Sequence, residues 1–64
     1  MGDFLNIHAV QAKTSLSRPE LYRRIKAGTF PRAIILGPRT RAWSETEINQ
    51  WQAHILATAP REEF

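Results

Sequence analysis

The residues from Ser17 to Pro31 leave the chain little choice of local structure. Ser17 and Glu20 stand at the spacing of a capping box, in which a hydroxyl receives an N–H three residues on and a carboxylate reaches back. Leu16 and Leu21 fall at the flanking staple positions, and Pro19 lies in the first turn, where its missing N–H costs nothing. Gly28 suits the left-handed residue that closes a helix, and Pro31 blocks any continuation. A helix of about ten residues is therefore expected between Ser17 and Gly28.

The rest of the chain is punctuated in the same way. Asn6 is the expected N-cap of a first helix running to about Thr14, with Ile7, Val10 and Ala9 facing inward and Leu5 and Ala9 at the staple positions. Ser44 and Glu47 repeat the capping box, with Trp43 and Ile48 as staple, and start a third helix whose Ile48, Trp51 and Ile55 form an inward stripe. Between Phe30 and Trp43 the pattern turns β-like. Ala33-Ile34-Ile35-Leu36, then Gly37-Pro38-Arg39-Thr40, then Arg41-Ala42-Trp43 read as a two-stranded hairpin.

Only Thr14-Ser15-Leu16 separate the first two helices, which is helix-turn-helix spacing. The fold expected is thus mainly α, three helices with a small two-stranded β wing: a winged helix-turn-helix. Residues 1–64 make one domain with its core at about 4–57 and a tail at about 58–64, where Pro60 and Arg61-Glu62-Glu63-Phe64 are expected to fray. With no cysteine among the 64 residues, packing alone must hold the fold. Leu16, Leu21, Ile25, Phe30, Trp43, Ile48 and Trp51 are the expected core, and Phe4 is read as core as well.

Charge locates the surface that matters. From Lys13 to Arg41 eight basic residues (Lys13, Arg18, Arg23, Arg24, Lys26, Arg32, Arg39 and Arg41) face one acid, Glu20, giving +7, while the flanks carry −4 and the whole chain +3. Such asymmetry points to a polyanion, because cations set near phosphates release condensed counterions. On the second helix Leu21 and Ile25 point into the core, which leaves Pro19, Arg23 and Lys26 on the far side, Tyr22 at its edge and Arg18 in the first turn. That is where a recognition helix meets base edges in the major groove. Arginine suits bidentate contact with guanine O6 and N7, whereas Lys26 and Arg24 suit phosphate, as do Lys13 and Ser17. Tyr22 reads either as a phosphate or thymine contact or as a core aromatic. Arg39, Thr40 and Arg41 form a basic wing tip for phosphates or a narrow minor groove, or else a solvated turn.

Other chemistry finds no support. His8 and His54 lack the companions of a metal site, Ser15, Ser17 and Ser44 read as turn or cap residues, and no triad, P-loop or carboxylate pair is present. No enzyme activity, cofactor, metal or small-molecule substrate is expected. No run approaches the roughly 20 apolar residues of a membrane span, and the N-terminus has no secretory pattern, so a cytoplasmic, nucleoid-associated protein is expected.

These residues resemble a family, the AlpA-like regulators of prophages and mobile elements, relatives of small phage excisionases with a MerR-like winged helix-turn-helix fold. The likeness runs from about Phe4 to Leu56. It lies in Leu16-Ser17-Arg18, Leu21-Tyr22-Arg23, Ile25-Lys26-Ala27-Gly28-Thr29-Phe30-Pro31 and Leu36-Gly37-Pro38-Arg39, with Trp43 and Trp51. The resemblance implies sequence-specific binding to double-stranded DNA, either activating integrase-type genes or acting in excision beside an integrase. It implies Arg18, Tyr22 and Arg23 as recognition-helix contacts and Arg39 as the wing contact. Two positions depart from the pattern: Ser15 stands where a turn glycine is usual, and Pro19 where a small hydroxyl residue is frequent. A competing reading is a protein-interaction module such as an antirepressor, using the acidic face around Glu45 and Glu47. A single small domain reads only a short half-site, so a second copy on DNA or an integrase is the expected partner.

Overall fold

A computed structural model describes residues 3–63; Phe64, the end of the tail expected to fray, lies outside them, as do Met1 and Gly2 of the 1–64 domain. The chain runs β1 (Phe4–Leu5), α1 (Ile7–Thr14), α2 (Arg18–Ala27), β2 (Ile34–Gly37), β3 (Thr40–Ser44) and α3 (Glu45–Thr58). This is three helices with a small antiparallel sheet, the winged helix-turn-helix arrangement.

Each helix begins where a side-chain oxygen takes up an otherwise orphaned N–H. Asn6 Oδ1 accepts from Ala9 at 2.9 Å, Ser17 Oγ from Glu20 at 3.3 Å and Ser44 Oγ from Glu47 at 3.3 Å. The reciprocal half of the first capping box is not made: the Glu20 carboxylate accepts from Arg23 and Arg24 instead. Charge-assisted bonds to two guanidinium groups outcompete one from a neutral backbone amide.

The helix ends differ in cost. Gly28, at φ 82°, closes α2 with its N–H on the Ile25 carbonyl at 3.1 Å, while the Thr29 N–H reaches the Arg24 carbonyl at 2.9 Å, the paired bonds of a Schellman ending. Ser15 closes α1 in the same left-handed region, φ 62° and ψ 18°, its N–H on the Gln11 carbonyl at 2.8 Å. Among the described residues it alone combines a positive φ with a side chain. The tight turn between α1 and α2 thus carries the strain that glycine would avoid.

The sheet has three strands in the order β1-β3-β2, one more than the hairpin expected. Phe4 and Leu5 pair with Ser44 and Trp43 at the end of β3, and the Glu45 N–H donates to the Asp3 carbonyl at 2.7 Å. Two residues are too few to show strand alternation, so this strand carries no periodic signal. Alternation nevertheless decides its side chains: Leu5 turns onto the core, so Phe4, read as core, faces outward and is 51% exposed. In the hairpin Ile34 pairs with Ala42, Ile35 with Arg41 and Gly37 with Thr40, leaving Leu36 as a bulge beside the Pro38-Arg39 tip.

The core is Val10, Leu21, Phe30, Trp43 and Ile48, with Leu5, Ile7, Leu16, Ile25, Ala33 and Trp51 packed around it. Two indoles fix the segment that joins α2 to the wing. Trp43 Nε1 donates to the Pro31 carbonyl and Trp51 Nε1 to the Thr29 carbonyl, each at 3.0 Å, and Phe30 meets Trp51 edge-on with centroids 4.8 Å apart. Polar groups of a connecting segment that has no ladder of its own are satisfied this way, and the wing is held at a set distance from α2.

Candidate nucleic-acid interface

The N-terminal half of α2 and the wing face each other across a groove of about 200 Å³, lined by Asn6, Ile7, Arg18, Tyr22, Arg39, Arg41 and Trp43. Three arginines converge there without an acid among the lining residues, so the groove is a concentrated positive field. Its order follows from the chain. Arg18 and Tyr22 lie one turn apart on α2, with the Arg18 guanidinium 5.8 Å from the Tyr22 ring centroid, within cation–π range. Tyr22 is 42% exposed, which excludes its reading as a core aromatic. Arg41 Nη1 reaches the Gly37 carbonyl at 3.5 Å, turning that side chain back along the hairpin.

Pro19, Arg23 and Lys26 are exposed, and their helical angles set them on the face of α2 opposite Leu21 and Ile25. Arg23 is not a free cation. Its Nε and Nη2 donate to Glu20 Oε1 at 3.0 and 2.7 Å and its Nη2 to Oε2 at 2.7 Å, while Arg24 Nε donates to the same Oε2 at 2.7 Å. Hydrogen bonds from Arg23 first, and from Arg24 second, hold the Glu20 carboxyl below the usual carboxylate range. The two arginines at i+3 and i+4 from the single acid of the basic window were a readable sign of this grouping.

The phosphate candidates disperse. Ser17 Oγ is engaged in the cap, and Thr40 is exposed on β3, where it pairs with Gly37. Lys13 pairs with Glu45 at 3.6 Å, while its carbonyl accepts from Gln52 Nε2 at 2.8 Å, so it is tied to α3 and not to the wing groove. Arg24 is half-buried and lines a second, open groove of about 660 Å³ with Gly28, Thr29, Phe30, Pro31, Trp51, His54 and Ile55. Asn6 lines the wing groove besides capping α1, and nothing in its local sequence marks this second place.

Among the described residues no group of three or more His, Cys, Asp or Glu residues is arranged to hold a metal ion. Among the described residues no helix is long and apolar enough to cross a membrane.

Residues 3–56 match the family described as Prophage CP4-57 regulatory protein (AlpA). A curated relative, Uncharacterized protein ORF88 of Enterobacteria phage P4, is 34% identical over 58 residues, a match covering 91% of this chain and 66% of that protein. No solved structure matches the chain at a significant level.

Proposed function

The chain belongs to the Prophage CP4-57 regulatory protein (AlpA) family, a regulatory family, and from that premise we propose that it is a sequence-specific double-stranded DNA-binding regulator of a prophage or mobile element. In this reading α2 enters the major groove with Arg18, Tyr22, Arg23 and Lys26 toward the bases and their flanking phosphates. The wing carries Arg39, Thr40 and Arg41 to the adjoining backbone or minor groove. The observation that supports it most is the convergence of Arg18, Tyr22, Arg39 and Arg41 on one acid-free groove from two separate elements. A solvated basic face has no need of such convergence, because like charges brought together raise the energy of the folded protein. Regulation by DNA binding asks for no metal, cofactor or catalytic group.

The outcome of binding is transcription of integrase-type genes, excision beside an integrase, or both. A half-site of this size calls for a second copy or an integrase bound alongside. Footprinting on the DNA flanking the chain's own gene, with and without the neighbouring integrase, tests both points. A protected site that R18A and R39A abolish in intact, folded protein supports the reading, and absence of protection at low salt overturns it. A footprint that extends or strengthens with integrase marks the excision role.

A further inference from the structure

Glu20 is the single acid in a strongly basic window, and it sits on the helix read here as entering DNA. A carboxylate in that position repels phosphates, and exposed ion pairs contribute little to stability. Its geometry fits another role. The half-buried Arg24 donates through Nε to Glu20 Oε2, and Glu20 in turn grips the exposed Arg23 along one edge of its guanidinium. Arg23 is the outermost of the three, its side chain 74% exposed against 34% for Arg24 and 25% for Glu20.

A guanidinium offers two edges for paired hydrogen bonds, the side edge of Nε with Nη2 and the end edge of Nη1 with Nη2. Glu20 Oε1 occupies the side edge, accepting from Nε and Nη2, and Oε2 accepts from the same Nη2. The two oxygens of one carboxylate lie too close together to take both diverging Nη2 hydrogens, so Nη1 and the second Nη2 hydrogen remain for the end edge. We propose that Glu20 is a specificity-determining positioning residue, which fixes Arg23 so that only its end edge is free to meet two adjacent acceptors on a base, guanine O6 and N7. An unheld arginine swings between base and phosphate and binds many sequences about equally well. One held by its side edge satisfies its end edge fully, among the bases, only at guanine, and every other register leaves an end-edge donor without an acceptor.

The inference rests on the DNA-binding reading, and its test separates the two. Wild type, E20Q and R23K are each used to select duplexes from a randomised library, and each is titrated against a random-sequence duplex by fluorescence anisotropy. Thermal melts confirm that all three are folded. R23K keeps the charge but has no planar fork. The expected result is a guanine preference at one position of the wild-type site that falls about tenfold in E20Q and in R23K alike, the scale of one bidentate base contact. Affinity of E20Q for the random duplex stays equal or rises, with a steeper salt dependence. An unchanged preference in E20Q overturns the assignment, as does an equal loss against all duplexes, which marks a merely structural role. Failure of the wild type to bind any duplex at low salt overturns the DNA-binding reading itself.

Discussion

The Trp43 indole N–H donates to the Pro31 carbonyl at 3.0 Å, and this bond ties the strand that ends the wing to the segment that leaves α2. Trp43 has no exposed surface and belongs to the core cluster with Val10, Leu21, Phe30 and Ile48. The bond and the packing therefore set the spacing between recognition helix and wing together. W43F removes the donor, leaves the Pro31 carbonyl short of a partner and opens a cavity. Each effect is worth about 1–3 kcal/mol in a buried site. Urea unfolding is expected to show a loss of about 2–4 kcal/mol, a large share of the stability of so small a domain. A loss within about 0.5 kcal/mol shows that the bond does not hold the wing.

Ser15 adopts φ 62°, a conformation that costs a residue with a side chain about 1–2 kcal/mol and glycine almost nothing. S15G recovers that strain but loosens the unfolded chain, which takes back about 0.4–1 kcal/mol. The net expectation is a gain of about 0.5–1 kcal/mol in urea midpoint experiments, with no change in the α1–α2 angle. S15V is expected to lose more than 1 kcal/mol, since β-branching is least tolerant of positive φ. Equal stability of the three proteins contradicts the strain.

The features that were legible in the sequence are those written in local chemistry. Asn6, Ser17 and Ser44 start helices and Gly28 ends one because capping involves only residues three to five apart. What was not legible depends on residues far apart in the chain. The strand at Phe4–Leu5 exists only because the end of β3 arrives beside it, and its shortness hides which side chain turns inward. Lys13 looks like any other basic residue until α3 brings Glu45 within 3.6 Å. Glu20 is an intermediate case. Its capping partner and its arginine partners are all within four residues, and local pattern alone does not say which of them wins.

Acid should act on this domain through Glu20. Its folded pKa is depressed by the bonds from Arg23 and Arg24, so the unfolded chain binds the proton more readily than the folded one. The resulting stability is present above the ordinary carboxylate pKa of about 4.3 and is lost as pH falls through the lower folded value. The Tm of the wild type should therefore fall on acidification more steeply than that of E20Q, with the two curves converging at the acid end. Parallel curves over that range show that the pairing makes no net contribution.

The two groups of basic residues should separate in salt titrations. Arg18, Arg39 and Arg41 converge on the wing groove, whereas Lys13 is paired to Glu45 and carries its carbonyl toward α3 through Gln52. Each phosphate contact contributes about 0.9 to the slope of log affinity against log salt. The R39A/R41A double variant is accordingly expected to flatten the slope by up to about 2 and weaken every duplex alike, since backbone contacts carry no sequence information. K13A should leave slope and affinity unchanged, and its small effect should fall on stability alone, within about 1 kcal/mol for an exposed pair. Anisotropy titrations at several salt concentrations decide it. A reduced slope in K13A with an unchanged slope in the wing variant would place DNA on the α1–α3 side and remove the wing groove from the interface.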